Sequence, residues 1–176
     1  GIRDSSDEEF AEFMQGNLQR LCRVAYLLTG DRGRAEELAQ EAFARTYRAW
    51  RRVRTDDSYA YTRRVLVNLH TDWWRRRWRE RSVAEVPDRV APGDSATVTA
   101  DRDALVRAVA ALTRRERAVI VLRFYLDLSE AQVAADLGIS VGTVKSTSSR
   151  ALKKLRVSPT FVSHDGRAAI AMEGTP

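Results

Sequence analysis

A chain of 176 residues, 44% apolar and 31% charged, suits one ordinary domain or two small ones and excludes disorder throughout. Lys+Arg 30 against Asp+Glu 24 leaves a net charge of +6, which points to a polyanion, either nucleic acid or an acidic membrane surface. The single Cys22 cannot form an internal disulfide, so a reducing cytosol is the expected location.

In chain order, GIRDSSDEEF is acidic and precedes the first apolar period, so residues 1–9 are expected as a tail with no signal peptide. The apolar runs, such as VAYLL, are too short for a membrane span. A first helix is expected from about Glu9 to Leu28, stopped by the glycines of TGDRG. A second spans about Arg34 to Trp50. Its Ala35, Leu38, Ala39 and Ala42 stripe, widened by Phe43, Tyr47 and Trp50, lies beside exposed Glu36, Glu37, Gln40 and Glu41. That acidic patch suits a basic protein, although a solvated helix start with acids favouring the dipole explains it equally well. A third helix starts at Asp57 or Ser58, with Tyr59, Thr62, Leu66, Leu69 and Trp73 as its buried stripe. The opposite side carries Arg64, Asn68, Thr71, Arg75 and Arg79, with Val67, Trp74 and Trp78 at its margin. Exposed indole rings among guanidinium groups make a platform for unstacked bases, worth about 1–3 kcal/mol per base. Two other readings stay open for this segment: packing of the tryptophans under another helix, and a basic amphipathic helix on a membrane.

Residues 82–103, rich in Pro, Gly and small polar side chains, read as a linker between helical blocks at 10–81 and 104–157, and residues 158–176 as a C-terminal tail. The second block holds LSEAQVAADLGISVGTVKSTSSRALKKLR. Ser129 and Gln132 have capping-box spacing, Gly138 is placed to end that helix, and Ser140 can cap the next, which predicts a helix-turn-helix. On the second of these helices Val144, Ser148, Ala151 and Leu155 point inward, with Val141 and Leu152 at the margin. Lys145, Ser146, Ser149, Arg150 and Lys153 point outward with Thr143 beside them. Residues 141–156 contain no acid, so this face suits phosphates and base edges. The expected fold is therefore all-α: two small helical domains joined by a flexible linker, the C-terminal one with a helix-turn-helix. The chain lacks GxxxxGK[ST], HExxH and a CxxC pair, and His70 and His164 are far apart, so no catalysis, cofactor or metal is expected.

Taken together, AYLLTGDRGRAEELAQEAFARTYRAW, YAYTRRVLVNLHTDWWRRRW and LTRRERAVIVLRFYLDLSEAQVAADLGISVGTVKSTSSRALKKL resemble the two domains of bacterial extracytoplasmic-function (ECF) RNA polymerase sigma factors, in particular their actinobacterial sigma-E-like group. The resemblance covers about residues 10–156. It implies that Leu38, Gln40, Glu41 and Phe43, with Glu37 beside them, meet the clamp helices of the largest polymerase subunit. It places Asn68 and Asp72 near the melted minus-ten strand, among Arg64, Thr71, Trp74, Arg75, Trp78 and Arg79. Thr143, Lys145, Ser146, Ser149 and Arg150, flanked by Ser140 and Lys153, fall in the major groove of the minus-thirty-five element. Implied partners are core RNA polymerase, at its clamp and flap, and promoter DNA; an anti-sigma factor is a candidate third. The competing reading is a helix-turn-helix regulator that acts without being a polymerase subunit.

Overall fold

The computed structural model describes residues 2–54, 56–80 and 100–157, and every regular element among them is helical. They divide into two compact units, the first built from the helices before residue 81 and the second from those after residue 99, with Leu27–Asp31 grouped with the second.

In the first unit α1 is Ile2–Thr29, α2 is Arg32–Arg48, α3 is the single turn Trp50–Val53 and α4 is Ser58–Glu80. The expected start of the first helix at Glu9, and with it the tail over 1–9, is corrected: α1 begins before the apolar period does. Acids in its early turns favour the positive end of the helix dipole. Two of them are anchored, because Tyr47 Oη donates to Asp7 Oδ1 at 2.9 Å and Arg54 Nη1 to Glu9 Oε2 at 3.3 Å. Apolar packing continues the attachment: Phe10 sits edge-on to Trp50 (5.2 Å between centroids) and Phe13 edge-on to Phe43 (6.0 Å). Gly30, at φ 69°, turns the chain out of α1, a conformation that costs glycine little because it has no Cβ.

The small side chains Ala35, Ala39 and Ala42 are buried on α2, and α4 packs against that helix. At their crossing the hydroxyls of Thr46 and Thr62 lie 2.9 Å apart, and each also reaches the carbonyl four residues back (Ala42 O and Ser58 O, both 2.8 Å). With one proton on each hydroxyl, two of these three contacts are hydrogen bonds at a time, and a buried polar pair partnered in this way adds directionality to an apolar contact. Of the two proposed caps for α4, Asp57 is the one used, since its Oδ1 accepts from Ala60 N at 3.0 Å. Ser58 instead donates to Val53 O at 3.0 Å and is buried.

In the second unit α5 is Ala100–Ala110, α6 is Arg114–Ile120 with a π turn at Val121–Tyr125, α7 is Glu130–Leu137 and α8 is Val141–Val157. Here α5 starts inside the segment expected as linker, whose residues 82–99 lie outside the described residues, as does the tail from 158. The capping box at Ser129 and Gln132 forms as expected, and a second forms at Thr113 and Glu116. Arg117, 1% exposed, donates from Nε to Val109 O (3.0 Å) and from Nη2 to Ala110 O (3.2 Å), so a buried guanidinium caps the carbonyl end of α5. Gly138 adopts φ 65° and ψ 37° after α7, and Ser140 Oγ accepts from Thr143 N at 3.1 Å to start α8. Val133 of α7 and Val144, Ala151 and Leu155 of α8 are buried, and α8 packs against both α6 and α7.

Candidate nucleic-acid interface

The outer side of α8 is continuous. Ser140, Lys145, Ser146, Ser149, Arg150 and Lys153 are exposed and Thr143 is half-buried, opposite the buried row Val144, Thr147, Ala151 and Leu155. The hydroxyls of Ser140 and Thr143 meet at 2.8 Å, Ser146 Oγ donates to Thr143 O at 3.2 Å, and Arg150 Nη2 reaches Thr147 Oγ1 at 3.5 Å. Short side chains turned back on the helix leave its surface low, and the long cations stand above it, which is the relief that lets a helix enter a major groove. Two expectations are corrected: Val141, placed at the margin, is exposed, and Ser148, placed on the inward side, is only half-buried. An acidic neighbour was not anticipated. Glu130, the first residue of α7, brings Oε2 to 3.9 Å from Lys145 Nζ.

Along α4 the exposed side chains Arg64, Asn68, Asp72, Arg75 and Arg79 recur at helical spacing and form one strip. Thr71, half-buried beside it, turns its hydroxyl inward to Val67 O at 2.9 Å. The tryptophans depart from expectation. Trp74 is half-buried rather than on the outer face: its ring stands edge-on to Trp73 (4.7 Å, 80°) and to His70 (6.4 Å, 90°). Trp73 is also half-buried, with the Arg34 guanidinium 3.2 Å from its ring centroid, a cation over the electron-rich face. The side chain of Trp78 lies outside the described residues. Val67, expected at the outer margin, is 1% exposed, and His70 and Arg63 are buried as well. The covered arc of α4 is thus wider than one apolar stripe.

On α2, Glu36, Glu37, Gln40 and Glu41 are all exposed. Arg45 Nε donates to Glu41 Oε1 at 2.8 Å, and that hydrogen bond holds the Glu41 carboxyl below its ordinary value. Leu38 and Phe43, expected at the polymerase surface, are corrected to the core: both are buried, and Phe43 packs on Phe13. They fix the helix that presents the acids. Among the described residues no cluster of side chains suited to a metal occurs, and no helix is long and apolar enough to cross a membrane.

The comparisons with known proteins bear on the same segments. Residues 13–80 match sigma-70 region 2 and residues 102–155 match sigma-70 region 4. The chain is 39% identical over 163 residues to the RNA polymerase sigma-E factor of Streptomyces coelicolor, with 91% of each chain covered. It is 36% identical over 150 residues to the ECF RNA polymerase sigma factor SigL of Mycobacterium tuberculosis, covering 78% of this chain and 81% of that one. In fold it is similar to the sigma factor RpoE of Bartonella quintana, solved in complex with the anti-sigma factor NepR, at a TM-score of 0.62 and 23% identity over 85% of this chain and 95% of that one. Both helical units and their order along the chain are accounted for by these matches, and the chain belongs to the ECF RNA polymerase sigma factors, with the sigma-E factors of Streptomyces among its relatives.

Proposed function

We propose a division of roles among three surfaces of this sigma factor. A sigma factor binds core RNA polymerase and directs promoter recognition, promoter melting and the start of transcription, and that is the work of this chain. The exposed acids of α2, Glu37 and Glu41 with Gln40, dock on a basic surface of the polymerase clamp. The outer side of α8, from Ser140 to Lys153, sits in the major groove of the minus-thirty-five element, where Lys145 and Arg150 reach base edges or phosphates. The strip Arg64, Asn68, Asp72, Arg75 and Arg79 holds the minus-ten strand as it opens, with the Trp73–Trp74 pair at its edge offering part of an indole face for stacking.

The observation that carries this reading is the different chemistry each helix exposes: a local acidic patch at Glu36, Glu37 and Glu41 on α2, arginines with Asn68 and Asp72 on α4, and hydroxyls with cations and no acid on α8. The block at 10–81 carries the α2 and α4 surfaces and the block at 104–157 carries the α8 surface, with a linker at 82–103 between them. Energy for melting comes from capture of unstacked bases, so the chain needs no hydrolytic site and acts as a regulatory subunit rather than an enzyme. It works in the cytoplasm. An anti-sigma factor, the partner that the Bartonella RpoE carries in its complex, is a third proposed partner. A regulator working without polymerase has no use for a unit matching sigma-70 region 2. Transcription from a promoter by core polymerase with the purified chain tests the reading, with the strand openings mapped by permanganate.

A further inference from the structure

The recognition face is bordered by one carboxylate that belongs to the preceding helix. Glu130 opens α7 directly after its cap Ser129, and its Oε2 stands 3.9 Å from Nζ of Lys145 on α8. That oxygen is shielded from solvent and makes no hydrogen bond among the described residues, whereas the Lys145 side chain is 66% exposed. A negative charge beside a DNA-reading surface opposes binding, because phosphates dominate the affinity. The helix dipole favours an acid at this position, but any first-turn acid would satisfy it without reaching Lys145.

Lysine is a compact charge on a flexible stem, and left to itself it settles on the nearest phosphate, a contact that carries no sequence information. A carboxylate at its side attracts the ammonium away from the phosphate rows and keeps it over the groove floor. The strongest acceptors there are O6 and N7 of guanine. We propose that Glu130 is a positioning residue: it orients Lys145 toward a guanine of the upstream element, lowering affinity for DNA in general and raising selectivity at one base pair. This inference rests on the assignment of α8 as the upstream reader.

The test presents the complex of core RNA polymerase and full chain with duplex promoters randomised across the upstream element, and reads base preference position by position. Lys145→Ala identifies the base pair, where a guanine preference of about 5- to 150-fold disappears. Glu130→Ala and Glu130→Asp are expected to lose most of the preference at that same base pair and at no other. Asp keeps the charge and the dipole contact but is too short to hold the ammonium, so it separates reach from charge. Binding to duplex lacking the element is expected to tighten for Glu130→Ala and to stay unchanged for Glu130→Asp, with thermal melts confirming that both variants fold. Full retention of the guanine preference in both Glu130 variants overturns the inference alone, as does an equal loss at every position. A wild-type complex with no upstream preference overturns the assignment of α8 along with it.

Discussion

Lys154 Nζ lies 2.9 Å from both carboxylate oxygens of Glu116, joining the last turns of α8 to the start of α6. Burial pushes the Glu116 carboxyl up, but hydrogen bonds from Lys154 and from the Thr113 backbone outweigh it and hold the group below its ordinary 4.5. Folding therefore favours the ionised form. The stability it contributes is full above the unfolded value and fades as pH falls through the lower folded one. Glu116→Gln keeps a capping-box side chain and removes the charge, so at pH 7 the second unit should lose about 1–2 kcal/mol, discounted because Lys154 is half exposed. Urea melts across pH should show the gap between wild type and variant closing as pH falls below the ordinary carboxylate range; a gap that does not change with pH would contradict the assignment.

Gly138 holds φ 65° with nothing within 4 Å of where a Cβ would stand, so its requirement is conformational rather than steric. Gly138→Ala should destabilise the second unit by about 1 kcal/mol and Gly138→Asn by less, since asparagine tolerates the left-handed region. Equal midpoints for Ala and Asn in thermal melts would refute that account.

Trp74 is half-buried against Trp73 and His70, so its replacement tests packing together with the proposed stacking on DNA. Trp74→Ala is expected to lower the open-complex fraction by about 5- to 150-fold, equivalent to one stacked base, while closed-duplex binding changes much less. Permanganate reactivity of the minus-ten strand and gel-shift affinity measure the two separately. Equal losses in both would assign Trp74 to the fold alone.

Glu41 is exposed and, among the described residues, bonded to Arg45 on its own helix, so reversing its charge spares the core. Glu41→Arg should leave the thermal midpoint within about 0.5 kcal/mol of wild type and weaken association with core polymerase at least tenfold, with the loss shrinking as salt rises. Undiminished capture of core by the variant would remove α2 from the docking surface.

The helix-turn-helix was legible in the sequence because its determinants are local: Ser129 with Gln132, Gly138 and Ser140 each act within a few residues of themselves. The outer face of α8 followed from the same periodicity. A helical wheel gives the direction of a side chain but not what covers it, and there the reading of α4 fell short. Val67 and Trp74, expected at the outer margin, are nevertheless covered or half-covered. For Leu38 and Phe43 the periodicity was right, since both lie on the apolar stripe of α2 and are buried; it was the resemblance that implied a place for them at the polymerase. Thr113 and Glu116 did carry a readable signal, the T-x-x-E spacing of a capping box. Arg117 carried none, since nothing local marks an arginine that will cap another helix from inside the core.

The central claim is that one chain couples a polymerase-docking unit to two DNA-reading surfaces. Its most direct test is transcription in vitro: core RNA polymerase, the purified full chain and genomic promoter fragments, with the start sites sequenced. The account predicts starts that appear only when both proteins are present, downstream of a shared pair of upstream and minus-ten sequences. Purified chain that neither associates with core nor changes where it starts would contradict it.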